Sequence, residues 1–205
     1  MEKARKLKVI SKWGTGIDSI DVESATRLGI SVCNTPGAFT QPVSDTVLGY
    51  ILCFARKLPW MDRDIREGRW EKRMGAALHE STLGIIGVGN IGKEVARKAR
   101  AFGMQLLGND VVEMPSEFVA EMQINMMPLD ELLSQADYVT LNCTMSTTSY
   151  HIVDAAALKS MKPTAFLINT KIVKAKVLYC SEEGNVGFKI VENYKIMRFN
   201  KKNFR

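Results

Sequence analysis

The chain has 205 residues, of which 46% are hydrophobic and 24% charged, and carries a formal net charge of +6. These are ordinary fractions for a globular protein, and no stretch approaches the ~18 consecutive apolar residues of a membrane span. Nine of the 28 basic residues but only three of the 22 acidic ones lie in 171–205, leaving 19 of each in residues 1–170. The excess charge therefore belongs to the tail, which argues against a nucleic-acid-binding body and marks a compositional boundary near 170.

In chain order, residues 8–13 read as a short strand and Gly14-Thr15-Gly16 as the turn after it. A helix is expected over 21–28, capped by Asp18 or Ser19 and stopped at Gly29. A strand over 30–33 and a turn at Asn34-Thr35-Pro36-Gly37 follow. Val43, Val47, Tyr50, Ile51 and Phe54 recur at helical spacing, so a long helix begins at Pro42; Pro59 breaks it, and a second helix runs to about Arg69. Residues 71–80 form a polar connector.

From Thr82 strands and helices alternate. Strands are expected over 82–86, 105–109, 124–127, 138–142 and 165–169, and helices over 91–102, 129–135 and 155–161. The unbroken apolar run Leu83-Gly84-Ile85-Ile86 suits a strand covered on both faces. Repeated strand–helix–strand units imply an α/β fold with a doubly wound parallel sheet of Rossmann type.

At the first of these units stands Gly87-Val88-Gly89-Asn90-Ile91-Gly92, preceded by an apolar strand, followed by a helix and then by a second strand. That second strand ends on an acidic residue, Asp110, 18 residues after Gly92. The whole context is what a dinucleotide fingerprint requires. Gly87 permits the tight turn, Gly89 lets a pyrophosphate approach the backbone, and Gly92 lets the helix pack on the strand. The N–H groups of Asn90 and Ile91 face the phosphates at the positive end of the helix dipole. Asp110 accepts hydrogen bonds from the adenosine ribose and repels the extra phosphate of NADP, so NAD is the expected cofactor.

Cys33, Cys53, Cys143 and Cys180 show no paired spacing, so neither a disulfide framework nor a metal site is expected; three of them sit in apolar surroundings and read as buried thiols. The basic N-terminus lacks the long apolar core of a secretory leader, and a cytoplasmic setting is expected.

Over residues 8–170 the chain resembles the D-isomer-specific 2-hydroxyacid dehydrogenases, and among them phosphoglycerate dehydrogenase-like members. The resemblance rests on Trp13-Gly14-Thr15-Gly16-Ile17-Asp18-Ser19-Ile20-Asp21, on Gly29-Ile30-Ser31-Val32-Cys33-Asn34-Thr35-Pro36-Gly37 and on Ser44-Asp45-Thr46-Val47. It continues through the glycine fingerprint to Met161-Lys162-Pro163 and Ile168-Asn169-Thr170, all in the family's order. It implies that Thr15 sits near the nicotinamide end, that the backbone at Cys143 lines the adenosine side, and that Thr170 begins the segment meeting the nicotinamide. It implies three parts: 1–35, a remnant of the substrate domain and hinge; 36–170, the NAD-binding domain with its long interdomain helix; and 171–205, an unrelated basic tail. Helices within 42–69 would form a homodimer, with Trp60, Ile65 and Trp70 at the contact.

The resemblance also implies an Arg that clamps the substrate carboxylate, with a Glu and a His that move its proton. The Arg follows Asn-Thr by two residues in the family, and here Ile172 stands there. Nothing in 171–205 resembles the Glu and His segments, and His79 and His151 match neither; His79 reads as exposed and His151 as helping to start a helix. Only seven residues precede Lys8, where the family has its first substrate-binding segment. The chain thus reads as a catalytically incompetent fragment truncated at both ends, its tail a product of read-through or a frame change. No catalytic residue is assigned, and turnover of a 2-hydroxy or 2-oxo acid is not expected. The sheet edge at 165–169 would stand open and favour aggregation, although the tail runs 186–191 and 194–197 can form strands over it.

Two other readings use the same residues. A non-catalytic interaction protein would pair with a full-length homologue through 42–69. A nucleic-acid-binding tail would use Tyr179, Phe188, Tyr194 and Phe199 among basic residues, but no recognised motif supports it.

Overall fold

The computed structural model describes residues 1–170 except 2, 5, 18 and 145–148, together with the backbone of 195–198. Two short strands, β1 (Val9–Lys12) and β2 (Ser31–Asn34), pair in parallel around helix α1 (Val22–Arg27). The cap of α1 is neither Asp18 nor Ser19 but Asp21, whose carboxylate accepts from Ser24 N at 2.9 Å. Gly29 follows the helix at φ +66, the left-handed stop that glycine adopts without strain.

Helix α2 (Thr40–Ala55) buries Ser44, Val47, Leu48, Ile51 and Ala55, one stripe at helical spacing. It begins two residues before Pro42, whose missing N–H costs nothing in a first turn. The break comes at Lys57, which takes φ +59; Pro59 then sits in the first turn of α3 (Leu58–Arg66), starting that helix instead of ending the one before. The connector over 67–77 is tied back to α3 through Asp64, only 1% exposed, which accepts from Arg69 at 2.6 Å and Arg73 at 2.5 Å. These guanidinium partners, Arg73 foremost, hold the Asp64 carboxyl down at about 2.

The main sheet is built from β3 (Thr82–Ile86), β4 (Gln105–Asn109), β5 (Ile124–Met126), β6 (Tyr138–Leu141), β7 (Phe166–Asn169) and β8 (Lys195–Arg198) in the order β5-β4-β3-β6-β7-β8. The first five run parallel, joined by α4 (Asn90–Ala101), α5 (Ser116–Met122), α6 (Leu129–Gln135) and α7 (Ala155–Ser160). Alternation along β3 sends Leu83 and Ile85 to a core shared with Val47, Ile51 and Val95 of α2 and α4. Ile86 faces the opposite core, with Leu132 and Leu133 of α6. Both faces are covered, as the apolar run predicts.

Helix α5 does not emerge from periodicity because only Phe118 and Met122 of its seven residues are buried, too few to define a stripe. The edge expected to stand open is paired: β8 runs antiparallel to β7, with Phe166 opposite Arg198 and Asn169 opposite Lys195. Residues 186–191, the other strand-like run of the tail, lie outside the described residues. Cys33 is exposed and Cys53 and Cys143 are half-buried, so the expectation of three buried thiols fails; Cys180 lies outside the described residues. Cys33 lies on the exposed face of the small β1–β2 sheet. His79 is exposed, as read. His151 starts no helix: it takes φ +55 in a turn, and α7 is capped by Asp154, which accepts from Ala157 N at 2.8 Å.

Candidate functional site

The register of the parallel strands lines up their carboxyl ends. Ile86 pairs with Asn109 on one side and Leu141 on the other, and Leu141 pairs with Asn169. The residues that follow form a row: Asp110 after β4, Gly87 after β3, Asn142 and Cys143 after β6, Thr170 after β7. Chain order reverses between β3 and β6, which makes this the switch point, where open α/β sheets bind ligands.

At its centre Gly87 takes φ +86, and a Cβ there would lie 2.5 Å from Cys143 N; turn and switch point both require glycine. A Cβ on Gly92 would run into the Gly87 carbonyl oxygen, so glycine there sets how closely α4 approaches β3. Gly89 is the contrast, because a Cβ added there meets nothing within 4 Å. Gly89 is also the N-cap of α4 and brings no capping side chain. The N–H groups of Asn90 and Ile91 have no acceptor within the helix. The first turn of α4 holds no acidic residue, while Lys98 and Arg100 stand in its last turn, so the positive dipole end is left open for an external anion.

Asp110 is held toward this turn. One carboxylate oxygen accepts from Val88 N at 2.6 Å and the other from Val112 N at 3.0 Å. Val88 is fully buried, so its N–H depends on that carboxylate. The oxygens keep lone pairs for further donors. On the far side of the switch, Asn142 Nδ2 and Thr170 Oγ1 are buried without a hydrogen-bond partner among the described residues.

Thr15 stands apart from the row, exposed in the turn after β1. Its carbonyl accepts from Asn34 Nδ2 at 2.8 Å, and Gly14 N donates to Thr35 Oγ1 at 2.9 Å. The loop so fixed reaches α4, since a Cβ on Gly37 would lie 4.0 Å from Asn90 Nδ2. Lys98 makes a second tie, donating to Ser44 Oγ and Asp45 Oδ1, both at 2.6 Å, and so fastening α4 to the start of α2.

Eight of the nine residues singled out in the sequence thus share one edge, with Thr15 joined to it through a loop. Asn142 was missed. Its signal is an asparagine at the end of the mostly apolar strand that begins at Tyr138. An uncapped helix start, an open approach at Gly89, an oriented carboxylate and two unpaired polar groups across the switch point fit an extended dinucleotide. Among the described residues no group of His, Cys, Asp and Glu could hold a metal ion, and no helix is long and apolar enough to cross a membrane.

Known proteins match this arrangement. Residues 48–179 match the family described as D-isomer specific 2-hydroxyacid dehydrogenase, NAD binding domain. A glyoxylate reductase of Korarchaeum cryptofilum is 37% identical over 187 residues, covering 87% of this chain and 56% of the relative. A D-3-phosphoglycerate dehydrogenase of Methanocaldococcus jannaschii is 36% identical over 193 residues, covering 91% of this chain and 37% of the relative. Among solved structures, D-lactate dehydrogenase from Aquifex aeolicus, complexed with NAD and lactic acid, superposes with a TM-score of 0.76 at 29% identity, covering 82% of this chain and 51% of that one. The chain spans about half the length, or less, of these proteins.

Proposed function

The chain belongs to the D-isomer specific 2-hydroxyacid dehydrogenase family and carries its NAD-binding domain, and on that premise we propose that it holds NAD(H) across the carboxyl edge of the sheet without turning over a 2-oxo acid on its own. The observation that carries the reading is the open, uncapped start of α4 beside an oriented Asp110. The backbone of Asn90 and Ile91 receives the diphosphate, and Gly89 leaves room for it. Asp110 accepts from the adenosine ribose hydroxyls and disfavours a 2′-phosphate. Thr170 and Thr15 attend the nicotinamide end. Bound NAD supplies the hydride acceptor or donor; the protein's part is to bind, orient and discriminate.

The relatives' names, glyoxylate reductase and D-3-phosphoglycerate dehydrogenase, point to small 2-hydroxy and 2-oxo acids as the substrate class of the family. Ile172 cannot replace an Arg that clamps a carboxylate through two parallel hydrogen bonds. The test pairs two measurements on the full chain. NADH should raise the melting temperature, and raise it further as its concentration climbs above Kd. Oxidation of NADH with glyoxylate or 3-phosphohydroxypyruvate, followed by absorbance, should stay at background. No thermal shift at millimolar NADH would sink the binding claim, and clear turnover would sink the claim about Ile172.

A second reading draws on exposed apolar surface: Ile65 is 56% exposed, Met74 82% and Trp70 91%. Such side chains on and after α3 suit a subunit contact, made with a second copy or a full-length homologue. Co-purification lost on Ile65→Lys with Trp70→Lys supports it; retention of the complex in that double variant refutes it.

A further inference from the structure

We propose that Asn142 is an additional cofactor-contacting residue, its side-chain amide donating a hydrogen bond to an oxygen on the nicotinamide-riboside half of NAD(H); the inference rests on the NAD reading above. Asn142 is 8% exposed, and its Nδ2 has no hydrogen-bond partner among the described residues. Thr140 Oγ1 donates to Asn142 Oδ1 at 3.3 Å, and in this orientation Nδ2 faces away from Thr140. Backbone pairing of Asn142 N with Ile86 O at 2.8 Å keeps the residue beside the glycine turn.

A second buried group points to the same place. Leu141 pairs with Asn169, so Asn142 and Thr170 follow side by side on neighbouring strands. Alternation puts Asn142 on the face of Tyr138 and Thr170 on the face of Phe166 and Ile168, and these three pack in one core. Thr170 Oγ1 is likewise buried and unpartnered. Buried polar groups are nearly always paired, so two orphans at adjacent positions of a ligand edge mark groups that a ligand completes.

The position selects the half of the cofactor. The diphosphate site lies after β3 and Asp110 after β4, both on one side of the switch point. A dinucleotide anchored there extends its second nucleoside over β6 and β7, where Asn142 and Thr170 stand. An amide N–H needs an acceptor, which that half offers as ribose and carboxamide oxygens.

The experiment compares NADH with ADP, which lacks the whole nicotinamide-riboside half, by calorimetric titration of the full chain and of Asn142→Ala and Asn142→Ser. Loss of one net hydrogen bond predicts an NADH Kd raised about tenfold in Asn142→Ala. The ADP Kd should stay within twofold, and Asn142→Ser should recover part of the loss through its hydroxyl donor. ADP-ribose then assigns the acceptor: a loss shared by NADH and ADP-ribose places it on the ribose, a loss confined to NADH on the carboxamide. An unchanged NADH Kd overturns the proposal, and so does a parallel loss for NADH and ADP, the signature of a purely structural role. A wild-type chain that binds neither ligand would instead overturn the NAD reading beneath it.

Discussion

Replacing Asp110 by Ala should weaken NADH binding and destabilise the protein together, because one carboxylate serves both ends. On the ligand side it would remove the charge-assisted hydrogen bonds proposed to the adenosine ribose, about 1.5–3 kcal/mol, or roughly 10- to 150-fold in Kd. On the protein side it strands Val88 N–H, buried and paired only with Asp110 Oδ2 at 2.6 Å. An unsatisfied buried donor costs about 1–3 kcal/mol, and for a chain of this size each kcal/mol lowers the melting temperature by about 2–4 °C. Asp110→Asn separates the two effects, since it keeps one acceptor oxygen but turns an amide N–H toward one of two backbone donors, Val88 N or Val112 N. It should fall between wild type and Ala in both measurements. NADH fluorescence titration reads the first effect and a thermal melt without ligand the second. An Ala variant that binds NADH within twofold of wild type would refute the assignment of Asp110 to the ribose. One that melts at the wild-type temperature would refute the account of Val88.

Three more outcomes follow from the packing. Gly92→Ala drives a methyl into the Gly87 carbonyl oxygen and should cost about 1–3 kcal/mol, read as a drop in melting temperature together with weaker NADH binding; a melt unchanged within a degree contradicts the close approach of α4 to β3. The Asp64 carboxyl is depressed from 3.8 to about 2 in the folded protein, so its stabilising contribution is present above pH 3.8 and drains away as pH falls toward 2. Wild type should therefore lose stability more steeply than Asp64→Asn between about pH 4.5 and 2 in urea titrations, and equal slopes would contradict the Arg69 and Arg73 pairing. Deleting residues 195–205 uncovers the β7 edge and should produce concentration-dependent light scattering; a truncated chain with the size and melting temperature of the full one would show that β8 protects nothing.

Most of the parallel sheet was legible because its strands are continuous apolar runs bounded by glycine or polar residues, and β3 and β4 fall where the pattern puts them. The glycine fingerprint was legible for a different reason: each glycine answers a separate steric demand, and only the turn, the close helix and the open approach together demand all three. Helix α5 is too short to show a period, and the cap of α1 shifts to Asp21 because a cap is a matter of one residue's backbone angles. The start of α3 at Lys57 depends on a left-handed residue that no composition rule places at a lysine. The pairing of β8 is a long-range contact: local pattern marks 194–197 as strand-like but does not decide whether it docks on the 165–169 edge. Asn142 escaped notice because an asparagine at a strand end is unremarkable until its amide proves buried and unpaired.

The central claim is that the start of α4 and Asp110 form a working NAD site. Its most direct test is a calorimetric titration of the purified full chain with NADH and, separately, with NADPH. The account predicts saturable binding of one NADH per chain and binding of NADPH at least tenfold weaker, because a 2′-phosphate would meet the Asp110 carboxylate. A well-folded chain that takes up no NADH, or that prefers NADPH, would contradict it.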